Sequence, residues 1–244
     1  MKWIHKLLGK EKSERPFCSV IVAAAGSSNR MGGGNKLLMD LDGIPVLART
    51  LLAIDDAHLV DEIVVAVRES ELLEMAQLCR TYGIVKPVKI VRGGENRLES
   101  VLLAAQECRE DASFLAVHDG ARPLADGELI DQTIRCAYRT NAAAPAVPVK
   151  DTIKIARDGV VESTPDRSTL FAVQTPQVFD AQLLRAALQS AWDDQAAVTD
   201  DCSAVERMGK AVYLTEGSYE NIKITTPEDI ALARTILRRR EELT

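Results

Sequence analysis

The spacing of apolar residues along the chain switches repeatedly between two periods. An apolar run from Cys18 to Ala25 ends in Gly26 and reads as a strand buried on both faces, the parallel-sheet signature. Val46 to Ile54 has helical spacing, Glu62 to Val67 is a second apolar strand, and Glu69 to Tyr82 is helical with Gly83 placed to end it. Strand Val88 to Val91, helix Asn96 to Arg109, strand Phe114 to His118, helix Glu128 to Arg139 and strand Ala143 to Val149 follow. This alternation predicts an α/β fold with a Rossmann-like, doubly wound, mostly parallel sheet. Right-handed crossovers then put the ligand crevice at the carboxyl ends of the strands. Polar clusters fall at those ends, after Ala25, Val91, His118 and Val149.

Lys150 to Ala172 breaks the pattern. Asp151-Thr152-Ile153-Lys154-Ile155 alternates, Asp158-Gly159 signals a hairpin turn, and Val160-Val161 resumes the strand. The expectation is an antiparallel β-arm over about 150–172 projecting from the sheet. Ala181 to Trp192 and Asp201 to Met208 are helical, and Val212 to Leu214 and Ile222 to Ile224 read as late strands. Thr226-Pro227-Glu228-Asp229 opens the last helix with a hydroxyl cap, a proline and two acids. Residues 17–244 are expected to form a single domain, with 1–16 a flexible leader.

A chain of 244 residues is long enough for one large α/β core. Its net charge of -6 argues against a nucleic-acid partner, which calls for a basic face. No apolar stretch is long enough to span a membrane. Lys2, Trp3, Ile4, Lys6, Leu7 and Leu8 could form a short basic amphipathic helix, but a solvated leader is the plainer reading. Five scattered cysteines and three histidines make no zinc pattern, and reduced thiols point to the cytoplasm.

Three clusters carry chemistry. Gly26, Ser27, Ser28, Asn29, Arg30, Met31, three glycines, Asn35 and Lys36 follow the first strand. Glycines let the backbone approach a polyphosphate, and Arg30 and Lys36 add two cations. This is not a P-loop, because Leu37 rather than Ser or Thr follows Lys36, and it is not the dinucleotide G-x-G-x-x-G either. Positioned cations suit phosphoryl chemistry, which depends on charge neutralisation. Gly93 to Ser100, including Gly94 and Glu95, joins a strand to a helix and can turn backbone groups and Ser100 towards a ligand. In His118-Asp119-Gly120-Ala121-Arg122-Pro123, Asp119 is a natural partner for Mg²⁺ held by substrate phosphates, while His118 reads as a satisfied core histidine.

The ordered segments A-A-A-G-S-S-N-R-M-G-G-G-N-K, G-G-E-N-R-L-E-S-V, V-H-D-G-A-R-P, P-V-K-D-T-I-K, Q-T-P-Q-V-F, T-D-D and N-I-K-I-T-T-P-E-D resemble the 2-C-methyl-D-erythritol 4-phosphate cytidylyltransferases. The resemblance runs from Val20 to Leu237 and implies a nucleotidyltransferase-type sheet, CTP, Mg²⁺, a polyol phosphate and a homodimer joined through the arm. It implies that Arg30, Lys36 and Lys223 are the catalytic cations. Ala24, Ala25, Gly94, Glu95 and Ser100 would hold the cytosine and ribose, and Asp119 would stand on the metal side. Arg122, Thr152, Arg167 and Thr199 would grip the methylerythritol phosphate, Arg167 reaching the partner's site. Gly120 stands where alanine is common and Glu95 where aspartate is common. The implied reaction is in-line attack of the acceptor's phosphate on the α-phosphorus of CTP, with no general base. The nearest rival is a ribitol-5-phosphate cytidylyltransferase. Another nucleotidyltransferase or a dinucleotide-dependent oxidoreductase stands further off.

Overall fold

A computed structural model describes residues 15–26 and 35–242. The chain builds β1 (Cys18–Ala23), β2 (Asp40–Leu41), β3 (Ile44–Pro45), α1 (Val46–Asp56), β4 (Glu62–Val67), α2 (Leu72–Thr81), β5 (Val88–Arg92), α3 (Arg97–Glu107) and β6 (Phe114–Asp119). It continues through α4 (Gly127–Thr140), β7 (Ala142–Pro148), β8 (Ile155–Arg157), β9 (Val160–Ser163), β10 (Phe171–Val173) and β11 (Gln177–Asp180). The last elements are α5 (Ala181–Asp193), α6 (Asp201–Arg207), β12 (Tyr213–Glu216) and α7 (Pro227–Glu242). Most of the leader, up to residue 14, lies outside the described residues, as does Arg30.

The central strands explain the apolar runs. β6, β1, β4 and β5 lie side by side in parallel. Along each strand successive side chains enter opposite cores. Val20, Val22, Ile63, Val65, Phe114 and Ala116 enter one, and Ile21, Val64, Ala66, Leu115 and Val117 the other. Helices α1, α2, α4 and α7 cover the first face through residues such as Leu51, Met75, Ile134 and Ile236. Helices α3, α5 and α6 cover the second through Val101, Leu184 and Val205. The sheet is therefore doubly wound. β1 is flanked by β4 and β6, so its carboxyl end is the topological switch point.

The structure departs from the sequence reading at the sheet's far side. β11 inserts antiparallel between β6 and β7. β10 pairs antiparallel with Ala146 to Pro148, and β11 with Ala142 and Ala143 of the same strand. β12 runs parallel along Ala143 to Ala146, so it must occupy the other edge of β7. The strand expected at Ile222 to Ile224 is absent. That segment is pinned instead by single bonds, Ile224 N–H to Ala121 O and Arg122 Nη1 to Asn221 O, while Ile224 fills the core. The helix expected from Glu69 starts with a 3-10 turn, Glu69–Glu71, and becomes α-helical at Leu72.

In the arm, pairing begins at Ile155 rather than Asp151, and Asp158 and Gly159 take positive φ (50° and 81°), as a two-residue hairpin turn needs. Asp42-Gly43 makes the same turn between β2 and β3 (φ 51° and 79°). Thr226 opens α7 as expected, but the Asp229 carboxylate does the capping, accepting the N–H groups of Thr225 and Thr226. Four of the five cysteines are buried and all are free thiols. Burial pushes the Cys108 thiol up to about 12, so it behaves as a small apolar group.

Candidate active site

A cavity of about 570 Å³ opens at the carboxyl ends of β1, β4, β5 and β6. Its lining joins Ala24, Ala25 and Gly26 after β1, Arg68 after β4, Gly94 to Arg97 after β5, and Asp119 and Ala121 at β6. Lys36, Ser100 and Lys223 complete it. Nine of the residues singled out in the sequence therefore meet in one place: Ala24, Ala25, Gly26, Lys36, Gly94, Glu95, Ser100, Asp119 and Lys223.

Each side of the cavity is fixed by local bonds. Asn35 Oδ1 accepts the Leu37 N–H, and its Nδ2 donates to Glu71 Oε1 (2.7 Å). Buried Leu37 anchors the 3-10 turn that presents Lys36. Glu71 also receives the Arg68 guanidinium, so one buried carboxylate braces two rim segments. Across the cavity, Gly93 N–H reaches Val67 O (2.7 Å). A Cβ on Gly93 would come within 2.5 Å of Ala25 Cβ, so only glycine lets these loops approach. Ser100 Oγ accepts the Gly94 N–H (3.1 Å) and donates to Asn96 O (2.7 Å), and Asn96 caps α3. Much of the serine's bonding capacity is thus spent on shaping the loop.

Asp119 is the electrostatic centre. Lys223 Nζ is 2.9 Å from its carboxylate, Arg122 Nε 3.4 Å and Arg97 Nε 3.9 Å. Burial would raise the pKa of Asp119, but Lys223, Arg97 and Arg122 hold it well below the usual range, at about 2. The group is therefore an anion at any physiological pH. Among the described residues no cluster of three or more His, Cys, Asp or Glu could hold a metal alone. One ionised carboxylate on the wall of this cavity fits a divalent cation carried largely by substrate phosphates.

The floor is a buried polar network. Thr175 Oγ1 accepts the Asp119 N–H (3.0 Å) and lies 3.1 Å from His118 Nδ1, while His118 Nε2 faces Arg122 O (3.4 Å). These partners fit a neutral imidazole protonated at Nε2, and burial lowers the His118 pKa to about 4. Asn221 Nδ2 donates to Thr175 O and Gln174 Oε1, tying the Gln174-Thr175 turn to the segment that carries Lys223.

The other predicted residues lie elsewhere. Arg122 is mostly buried beneath the cavity, bonded to Asn221 O (2.6 Å) and Asp119, and does not line it. Thr199 is exposed, one residue before the Asp200–Ser203 capping box of α6. Thr152 and Arg167 are exposed in the arm, where Arg167 Nη1 donates to Lys150 O (2.8 Å). Sequence reasoning missed Glu71, Arg68, Thr175, Asn221 and Arg97 as parts of the site. Arg97, Thr175 and Asn221 sit inside the quoted motifs, and reading those motifs as contact partners would have found them.

Comparisons with known proteins agree with this fold. Residues 18–239 match the sequence model of the IspD family, 2-C-methyl-D-erythritol 4-phosphate cytidylyltransferase. A protein of that name from Caldanaerobacter subterraneus subsp. tengcongensis is 44% identical over 225 residues, 91% of this chain and 99% of the other. One from Bacillus cereus is 42% identical over 220 residues, 90% of this chain and 97% of the other. The crystal structure of 4-diphosphocytidyl-2C-methyl-D-erythritol synthase from Anaerococcus prevotii superposes with a TM-score of 0.82 at 32% identity, covering 91% of this chain and 96% of that one. The cytidylyltransferase structure from Thermus thermophilus gives 0.73 at 30% identity, covering 91% and 99%.

Proposed function

The chain belongs to the 2-C-methyl-D-erythritol 4-phosphate cytidylyltransferase family, and we propose that its cavity at the switch point is where the transfer takes place. The enzyme moves CMP from CTP to 2-C-methyl-D-erythritol 4-phosphate and releases pyrophosphate, a step of the non-mevalonate route to isoprenoid precursors. The single observation that carries the site reading is the meeting of Lys36, Lys223 and Asp119 with the glycine-loop residues Ala24, Ala25, Gly26, Gly94 and Glu95 and with Ser100 around one cavity.

In this reading an oxygen of the acceptor's phosphate attacks the α-phosphorus of CTP, and the bond to the pyrophosphate oxygen breaks opposite it. The nucleophile is already anionic, so no proton need be removed. The burial and internal bonding of His118 agree with a mechanism that uses no histidine base. Lys36, Lys223 and Arg30 of the glycine loop neutralise charge on the α-phosphate and leaving group. Asp119 and the substrate phosphates would hold Mg²⁺, which supplies Lewis-acid neutralisation of the triphosphate when bound. Asp119→Asn should weaken the magnesium dependence of the rate while the fold survives. A magnesium titration that overlays the wild type would make Asp119 structural.

The arm supports a homodimer. Ile155, Val160 and Val161 leave 50–69% of their surface exposed on an antiparallel ribbon that is marginal alone in water. Thr152 and Arg167 stand outside the cavity of their own chain, as residues that complete a neighbour's site would. Arg122 and Thr199 complete the proposed acceptor grip. The proposed organisation is one nucleotidyltransferase domain over 17–244 with the arm at 150–172, in a cytoplasmic enzyme. Free thiols support that compartment, and no helix among the described residues is long and apolar enough to cross a membrane.

The test is pyrophosphate release from the purified chain with CTP, Mg²⁺ and each polyol phosphate. Release with methylerythritol phosphate and little with ribitol 5-phosphate is the expected result. The reverse preference would overturn it.

A further inference from the structure

We propose that Arg97, held in place by Asp201, gives a further charge-assisted hydrogen bond to a substrate phosphate; the proposal rests on the reading of the cavity as the transfer site. Arg97 opens α3, so the Gly93-Gly94 loop and the helix start aim it at the cavity that it lines. Its Nη2 donates to Asp201 Oδ2 (2.6 Å). Among the described residues that is the guanidinium's only hydrogen bond, since the nearer Asp119 oxygen is 3.9 Å from Nε. A guanidinium carries five N–H donors in a rigid fork, so most remain available to a ligand.

Asp201 is built as an anchor. It is 1% exposed, and its N–H and that of Cys202 both donate to Gln177 Oε1 (3.1 and 3.0 Å). Gln177 Nε2 donates in turn to Asp200 Oδ2 (2.8 Å). Gln177 is 2% exposed on β11, opposite Val117 of β6, and so is locked to the strand that ends in Asp119. The anchor cannot follow a moving side chain, and Arg97 meets a ligand already oriented. Arg97 lines the cavity together with Lys36 and Lys223. A phosphate is the ligand that cations so placed suit.

The competing role is neutralisation of Asp201 alone, because a buried carboxylate without a cation is costly. The double variant Arg97→Gln, Asp201→Asn separates the two roles. It leaves no unpaired buried charge. Its melting temperature should stay near that of the wild type. Its Kd for Mg-CTP by calorimetry, or its KM for the polyol phosphate, should rise about tenfold or more, the scale of one charged hydrogen bond. The constant that moves identifies which phosphate Arg97 meets. Wild-type values of both constants in the folded double variant overturn the proposal. If the double variant does not fold, Arg97→Lys preserves the ion pair but not the fork. A rise in the same constant supports the proposal and unchanged constants overturn it. A wild-type chain that binds no CTP would sink the reading of the cavity itself, a distinguishable failure.

Discussion

The cavity and the arm contain residues of similar chemistry in opposite physical settings. Around the cavity, Asp119, Arg122 and Asn221 are buried or nearly so, Arg97 is half-buried, and each is bonded to a segment distant in the chain. In the arm, every residue of β8 and β9 is exposed, and the polar contacts stay within the ribbon and its base. Lys154 Nζ reaches Thr164 Oγ1, Arg157 pairs with Glu162, and Arg167 returns to Lys150 O. The cavity's charges are oriented by their own chain, so their function can be read within it. The arm's apolar side chains have no such cover, so their function is sought in a second copy.

The sharpest way to break this contrast is to remove a cavity cation. Lys36→Ala should lower kcat about 10²-fold or more, the scale of losing one preorganised donor to transition-state charge. The variant should melt near the wild type, because buried Leu37 and the Asn35 cap anchor the turn. Single-turnover rates in excess CTP read this directly, and a wild-type rate would remove Lys36 from the chemistry.

An arm residue should behave differently. Arg167→Ala should raise KM for the polyol phosphate about tenfold and leave KM for CTP nearly unchanged, since one charged contact to the acceptor is lost. At a polyol phosphate concentration below the KM of the Arg167→Ala variant, where each variant alone is slow, mixing Lys36→Ala and Arg167→Ala chains should raise the rate above that of either. In a mixed dimer one site lacks both residues and the other keeps both. Subunit exchange without recovery would place Arg167 in its own chain's site and remove the contrast.

The contrast also explains what was legible in advance. The core strands were readable because burial on both faces leaves apolar runs, as in Glu62 to Val67. The cavity was readable because glycines, cations and Asp119 fall where such strands end. Pairing partners were not. Gln177 to Asp180 is a short mixed run, and nothing local says it inserts antiparallel beside β6. Asp42-Gly43 carried the same turn signal as Asp158-Gly159, but its strands are two residues each, too short for a period to show. Ile222-Lys223-Ile224 looked like a strand because its apolar residues alternate, although single hydrogen bonds hold the segment and Ile224 is buried. The bracing roles of Glu71 and Asp201 depend on contacts across 36 and 104 residues, beyond any sequence window.

A smaller effect should follow pH. Burial lowers the His118 pKa to about 4 from the ordinary 6.5, so the folded state resists a proton that the unfolded chain accepts. Above the ordinary value both states are neutral and nothing is lost. As pH falls from about 6.5 towards 4, stability should drop by up to roughly 3 kcal/mol, at 1.36 kcal/mol per unit. Asp119, held at about 2 against an ordinary 3.8, adds a further loss only below that. Urea midpoints at pH 7 and pH 5 should differ in the wild type and converge in His118→Asn. Equal midpoints in the wild type would mean that His118 titrates as if exposed.

The smallest effect is expected at Gly120, the glycine that follows Asp119. Its φ is not in the left-handed region, so an alanine is not strained by the backbone. Its Cβ would meet Leu47 Cδ1 at 3.2 Å, Ala23 O at 3.3 Å and Ala24 Cβ at 3.4 Å. Those contacts are a few tenths of an ångström tight, and the leucine methyl can yield where the β1 carbonyl cannot. Losing glycine's freedom in the unfolded chain favours the variant by roughly 0.4–1 kcal/mol, and crowding opposes it by a similar amount. Gly120→Ala should therefore shift stability by less than about 1 kcal/mol and leave KM for CTP unchanged. The Gly120 carbonyl already accepts the buried Thr50 hydroxyl (2.9 Å), which holds this backbone in place whichever residue is present. A loss of several kcal/mol in chemical denaturation, or a displaced CTP affinity, would show that the floor beside Asp119 has no slack. The cavity would then be as intolerant of one methyl group as Gly93 is expected to be.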